Sequence, residues 1–158
     1  MPRIAYGQIA PEGIRALLAV KTYTDSASID RRLRALIELR VSQINGCVYC
    51  IDLHSREARH AGETQQRLDC LPAWHEAPLF DEREKAALHW AESLTRISTT
   101  GASDTDFERV RSHLTEKEVV DLSIIVGMIN TWNRIAIGFR QIPPPRPETR
   151  PEAPSGSH

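Results

Sequence analysis

Two cysteines and a histidine lie close together in the segment INGCVYCIDLH, residues 44–54. Cys47 and Cys50 are three residues apart, and His54 follows Cys50 by four, so a helix beginning near Cys47 would place the three side chains on one surface. Free N–H groups at a helix start favour a thiolate over a thiol, and the imidazole one turn after Cys50 can accept that thiol's proton. The pattern predicts a redox-active dithiol with His54 as its proton relay.

The spacing also predicts which cysteine does what. Cys47 is two helical turns from His54, so Cys50 is the thiol that shares a proton with the imidazole. We expect a peroxide to oxidise Cys50 to a sulfenic acid, and Cys47 to condense with it to a disulfide. An external dithiol or disulfide reductant then restores both thiols, and this cycle needs no metal or organic cofactor.

Other uses of these residues compete with the redox hypothesis. Free cysteines are often small buried hydrophobic side chains. The two cysteines and His54 can also be read as three metal ligands, with a fourth supplied by His60, Cys70 or His75. Zinc sites usually take a second ligand pair from a separate element, and these residues form no such pair. The redox hypothesis is therefore preferred, and Cys70 is interpreted as a packing residue.

Composition limits the classes of partner. The chain has 158 residues, enough for one domain, with 20 Lys and Arg against 21 Asp and Glu. This balance and the lack of a basic stripe argue against nucleic acid. The start of the chain does not have the layout of a secretory signal, and the longest apolar run, residues 119–129, is interrupted by Asp121 and too short to cross a bilayer. We therefore expect a cytoplasmic protein that does not enter a membrane.

Apolar residues recur every three or four positions, which predicts an all-α fold. Asp30, Ser103 and Thr115 are expected N-caps, and Gly46 and Gly62 are expected helix ends. The predicted helices span residues 11–26, 30–46, 47–62, 63–71, 81–98, 103–114 and 115–142, with a connector at 72–80.

The last predicted helix is apolar on nearly all sides, so we expect it to be central or shared with another subunit. Residues 143–158 contain six of the ten prolines and no large apolar side chain. The sequence thus predicts one helical domain, residues 1–142, followed by a Pro-rich disordered tail at 143–158.

The stretch LRVSQINGCVYCIDLHSREARHAGETQQRL, residues 39–68, resembles the core motif of the alkyl hydroperoxidase D branch of the carboxymuconolactone decarboxylase superfamily. The segments EREKAALHWAESLT and INTWNRIAIGFR are similar to that family as well. The resemblance implies an all-helical fold, assembly into homo-trimers or homo-hexamers, and antioxidant peroxidase or disulfide reductase activity. Cys47, Cys50 and His54 match the family's two thiols and its relay histidine.

The glutamate of the family's relay falls on Ala35 here, and the nearest carboxylate is Glu38. Glu38 is our candidate to hold His54 or a water molecule, although an ion pair with Arg34 or a solvated position would also account for it. Tyr49 stands where the parent enzyme has a histidine between the cysteines. A phenol has a far higher pKa than an imidazole, which predicts lower peroxidase turnover.

Two further interpretations of the chain follow from its sequence. A lactone decarboxylase of the same superfamily would use acid and base groups and no cysteine pair. A non-catalytic redox sensor would use the disulfide to change an interface. Trp132, Asn133 and Arg134 resemble a family hallmark, and we interpret them as packing residues at a subunit contact.

Overall fold

The computed structural model describes residues 2–146, and every regular element in that range is helical, which confirms the all-α prediction. Nine α-helices follow one another along the described chain: α1 (Tyr6–Ile9), α2 (Pro11–Asp25), α3 (Arg31–Asn45), α4 (Val48–His60), α5 (Gln65–Cys70), α6 (Glu82–Thr95), α7 (Ile97–Thr100), α8 (Asp104–Arg111) and α9 (Glu116–Gly138). A short 3₁₀ helix, Leu71–Ala73, follows α5. No part of the described chain is long and apolar enough to form a membrane-spanning helix.

The helix boundaries follow the capping chemistry expected from the sequence. The carboxylate of Asp30 accepts a hydrogen bond from the backbone N–H of Leu33 at 3.0 Å and starts α3. Thr115 and Glu118 form a complete capping box at the start of α9. Gly46 ends α3 with φ of +71°, a left-handed conformation that only glycine adopts without strain. The chain therefore reverses immediately before Cys47.

The core is built around α3, which packs against α4, α6 and α9. Apolar side chains of α3 recur at helical spacing and are almost fully buried: Leu33, Leu36, Ile37 and Val41. On α9 the corresponding buried residues are Val119, Leu122, Ile125, Val126 and Ile129. The long last helix is central, as expected, although Val120 and Ile137 remain exposed on its outer side.

A buried carboxylate joins α9 to the last turn of α2 and to the loop after it. Asp121 is 0 % exposed and accepts hydrogen bonds from the hydroxyl of Tyr23 at 2.6 Å and from the backbone N–H and hydroxyl of Ser28 at 2.8 and 2.7 Å. Lys117, one turn earlier on α9, adds an ion pair at 2.8 Å. Burial opposes ionisation of Asp121, but these donors outweigh it and hold its pKa well below the ordinary value.

The structure corrects several predicted boundaries. The helix predicted over 81–98 ends at Thr95, because the chain turns into α7 and the hydroxyl of Thr100 donates to the carbonyl of Ser93. The helix predicted over 115–142 ends at Gly138, where Arg140 takes a positive φ of 57°. The predicted connector at 72–80 begins within the 3₁₀ helix.

The structure also adds α1, a single turn that the sequence pattern did not indicate. Its Tyr6 ring stacks on Phe139 with centroids 5.4 Å apart, and the backbone N–H of Arg3 donates to the carbonyl of Phe139 at 2.8 Å. The start of the described chain is thereby fixed to the end of α9. Most of the predicted disordered tail, residues 147–158, lies outside the described residues.

Candidate functional site

The cysteine motif opens α4, as the sequence predicted. Cys47 is the N-cap residue with extended backbone, and its Sγ accepts a hydrogen bond from the backbone N–H of Cys50 at 3.3 Å. The two cysteines form a disulfide with Cα atoms 5.3 Å apart. Both are buried, at 1 % and 3 % exposure, and they pack against Ala136 of α9. The helix start can therefore stabilise a thiolate at Cys47 when the pair is reduced.

His54 lies one turn further along α4, and two carboxylates converge on its ring. The Nδ1 atom is 2.7 Å from Oε2 of Glu57 and 3.5 Å from Oε2 of Glu38. Glu57 follows His54 by three residues on the same helix, whereas Glu38 comes from α3, which packs beside α4. Glu57 accepts the closer contact and is therefore the residue that orients the imidazole.

The sequence candidate Glu38 is near His54, but its surroundings differ from either sequence-based alternative. The Arg34 guanidinium forms its ion pair with Asp25, at 2.7 Å, and donates to the carbonyl of Thr24. The Glu38 side chain is only 16 % exposed. It is thus neither solvated nor paired with Arg34.

The pKa values of the two carboxyl groups are shifted in opposite directions. Burial raises the pKa of Glu38, and the nearby imidazole of His54 only partly offsets this. The hydrogen bond with His54 lowers the pKa of Glu57, against a smaller effect of burial. One imidazole is thus flanked by a carboxyl that holds its proton more readily and by one that gives it up more readily.

Cys50, His54 and both glutamates line a single cavity of about 250 Å³. Much of its remaining wall is apolar and comes from three helices: Leu18 of α2, Leu53 of α4, and Met128, Ile129 and Trp132 of α9. Tyr6 and Tyr49 also face it. The reactive groups therefore meet at the wall of a mostly apolar chamber.

Cys47 faces a different opening. It lines a cleft of about 490 Å³ between the start of α4 and the end of α9, together with Val48, Ile137 and Arg140. Ala136 belongs to the walls of both the cavity and the cleft. The two cysteines of one disulfide thus line two separate concave surfaces.

The side chains that the sequence suggested as metal ligands do not form one cluster in the described part of the chain. Within residues 2–146, one group of His, Cys, Asp and Glu side chains has ligand atoms close enough to share an ion: Glu38, His54 and Glu57, all within 4.8 Å of one another. The cysteines do not belong to it. His75 instead stacks on Trp74, and Cys70 is a half-buried free thiol at the end of α5.

Glu57 was not identified from the sequence, although this residue follows His54 by three positions. Glutamates are common on exposed helix faces, so the spacing alone did not single it out. In the segment 132–134, Trp132 lines the cavity. Asn133 is fully buried, and it donates a hydrogen bond to the hydroxyl of Ser42 at 3.1 Å and accepts one from Asn45 at 2.8 Å. These residues join α9 to α3 within one chain.

Comparison with known proteins gives consistent results. The profile of the carboxymuconolactone decarboxylase family matches residues 11–93. The uncharacterized protein YdfG of Bacillus subtilis is 47 % identical over 87 % of this chain and 93 % of its own length.

Two crystal structures extend the comparison. A protein of unknown function from Agrobacterium tumefaciens, for which a role as the antioxidant defence protein AhpD has been suggested, has a TM-score of 0.89 and 41 % identity, covering 92 % of this chain and all of that one. An uncharacterized peroxidase-related protein from Silicibacter sp. TM1040 has a TM-score of 0.74 and 28 % identity, covering 84 % of this chain and 71 % of that one. The chain therefore belongs to the carboxymuconolactone decarboxylase family and has an AhpD-like helical fold.

Proposed function

We propose that the protein is a thiol-dependent peroxidase that reduces organic hydroperoxides by cycling Cys47 and Cys50 between dithiol and disulfide. The observation that carries this proposal is that Cys50 and His54 open to the same cavity while Cys47, bonded to Cys50, lies behind it. The names of two similar structures, one suggesting an antioxidant defence protein and the other a peroxidase-related protein, are consistent with this reaction class.

In the oxidative step, the Cys50 thiolate attacks the terminal oxygen of the hydroperoxide and the O–O bond breaks. Cys50 becomes a sulfenic acid, and the leaving alkoxide takes a proton from His54 and departs as an alcohol. The Cys47 thiolate, stabilised by the N–H of Cys50, then attacks the sulfenic sulfur. The hydroxide released is protonated to water, and the disulfide forms.

His54 supplies protons, and the two neighbouring carboxyl groups support it in different ways. Glu57 accepts from Nδ1 and positions the ring, so the other ring nitrogen is free to exchange a proton with a reacting group. Glu38 is the second carboxylate of the relay, and its raised pKa suits a group that holds a proton more readily than an exposed glutamate does. Cys50, Cys47, His54 and Glu38 are thus our proposed catalytic set, with Glu57 as the positioning residue.

The cavity wall favours an organic hydroperoxide over hydrogen peroxide. Leu18, Leu53 and Ile129 offer apolar surface to the alkyl group of the substrate. An external dithiol or disulfide reductant completes the cycle, which fits the cytoplasm, where thiol donors are maintained.

We also propose a homo-trimer or homo-hexamer, in which exposed apolar residues such as Val120 are covered. Light scattering on the purified protein tests the assembly.

A second candidate is acid-base chemistry on a lactone, because Glu38, Glu57 and His54 meet at the cavity independently of the cysteines. A lactone decarboxylase would retain its activity in Cys47→Ser and Cys50→Ser variants. The peroxidase would lose turnover in both.

The deciding experiment treats the reduced protein with one equivalent of cumene hydroperoxide and counts the remaining thiols. We expect the loss of two thiols as a Cys47–Cys50 disulfide, a trapped sulfenic acid on Cys50 in Cys47→Ser, and a reaction slowed by about 10²-fold or more in His54→Ala. Unreactive thiols in the wild-type protein would refute the peroxidase. A reversible disulfide without turnover would instead indicate a redox sensor.

A further inference from the structure

Building on the proposed function, we infer that the reductant does not enter through the peroxide cavity but docks in the cleft beside Cys47, and that it is a thiol carrying an anionic group. The inference rests on the charge and shape of the two openings that the disulfide separates.

The cleft has the composition of a site for an anion on a short apolar stem. Arg3 and Arg140 line it, and the described residues of its wall include no acidic side chain. Three exposed or half-exposed apolar side chains complete the wall: Val48, Ile137 and Ile142. A carboxylate can therefore pair with a guanidinium while the carbon chain that bears the thiol lies on apolar surface and points to Cys47.

The peroxide cavity has carboxyl groups where the cleft has guanidinium groups. Glu38 and Glu57 face it, and its cation Lys21 is engaged with Asp25 at 3.0 Å. An anionic thiol is therefore favoured on the side of Cys47 over the side of Cys50. Ala136 is shared by the two walls, so oxidant and reductant approach opposite sides of one disulfide.

The disulfide is reduced from the side of the cleft. The reductant's thiolate attacks Sγ of Cys47, the Cys47–Cys50 bond breaks, and Cys50 leaves with a proton from His54. A second thiolate, from the same dithiol or a second molecule, attacks the reductant's sulfur in the mixed disulfide. Cys47 departs as a thiolate that the N–H of Cys50 stabilises, and two thiols have become one external disulfide.

The test isolates this half-reaction by preparing the disulfide form with diamide and no peroxide. Reduction by mercaptopropionate is compared with reduction by its neutral amide, each rate being expressed per thiolate. In Arg140→Glu we expect the mercaptopropionate rate to fall roughly fivefold at low salt while the amide rate stays unchanged. Arg140→Lys keeps the charge and should stay within about twofold of wild type. Arg15→Glu, at an exposed arginine of α2 that lines neither opening, is the remote control.

Acid-quenched mixtures are then mapped for the first mixed disulfide, which we expect on Cys47. An adduct on Cys50, or equal effects of Arg140→Glu on the anionic and neutral thiols, would overturn the docking inference. Since diamide replaces the peroxide, a protein that passes this test but ignores cumene hydroperoxide would refute the peroxidase proposal alone.

Discussion

The Nδ1 atom of His54 and the Oε2 atom of Glu57 are 2.7 Å apart, one turn from each other on α4. A carboxylate at this distance fixes the ring orientation and favours the tautomer with its proton on Nδ1. The nitrogen left for chemistry is therefore Nε2. The histidine and the carboxylate that orients it therefore lie on the same helix as the disulfide.

Replacing Glu57 by Gln should shift the pH dependence of the reaction more than it affects folding. Loss of the carboxylate removes the charge that stabilises the imidazolium, so we expect the rate of thiol oxidation by cumene hydroperoxide to fall about tenfold near neutral pH and its profile to move to lower pH. Glu92→Gln, which changes a structural carboxylate bonded to Arg40, is the control and should leave the profile in place. An unshifted profile in Glu57→Gln would contradict the positioning role.

The two carboxylates at His54 should affect stability with opposite signs. The pKa of Glu57 is lowered, so its stabilisation is present above its unfolded pKa of about 4.3 and is lost as the pH falls through the folded value. The pKa of Glu38 is raised, so its stabilising contribution is present below that unfolded value and is lost as the pH rises through the folded one.

Glu38→Gln should consequently raise the Tm at about pH 8, and Glu57→Gln should lower it there. The loss in the free energy of unfolding for Glu57→Gln should be no more than about 1 kcal/mol, because Glu57 is partly exposed. Thermal unfolding of both variants at about pH 4 and pH 8 measures the difference. A lower Tm for Glu38→Gln at the higher pH would show that burial does not strain this carboxylate.

The buried carboxylate of Asp121 should be a major contributor to stability. Asp121→Ala leaves the Tyr23 and Ser28 donors without their acceptor, so we expect a loss of about 3 kcal/mol in urea unfolding at neutral pH. The pKa of Asp121 is lowered, so this contribution is present above its unfolded pKa of about 3.9 and declines as the pH falls through the folded value. Asp25→Ala, which breaks the ion pairs of a half-exposed carboxylate, should lose less than about 1 kcal/mol.

The conformation of Gly46 should make it sensitive to a single methyl group. No atom from elsewhere in the described chain lies within 4 Å of the position that a Cβ would take there. The effect of Gly46→Ala therefore comes from its φ of +71° and should be a loss of about 1 kcal/mol. Gly127→Ala is the matched control, because this helical glycine of α9 also faces open space and lacks a positive φ. It should gain about 0.5–1 kcal/mol. Equal effects of the two changes in urea unfolding would contradict the conformational explanation.

The sequence predicted features that depend on neighbouring residues and missed those that depend on distant ones. Asp30, Thr115 and Gly46 act on backbone groups within a few residues, so their roles could be predicted directly. The separation of Cys47 from the cavity depends on Ala136 near the end of α9 and on Arg140 just after it, which no local spacing reveals. The turn α1 was missed because four residues carry too little periodicity, and its position depends on Phe139.

The end of α9 contributes Ala136 to the walls of both the cavity and the cleft, and this has a consequence for the synthesis of the chain. Cys47 and Cys50 leave the ribosome well before Ala136, and at roughly 5–20 residues per second several seconds pass before their final cover is available. During that interval both thiols are reachable by any oxidant or thiol in the surrounding solution. The burial of the two cysteines is therefore acquired late in the synthesis of the chain.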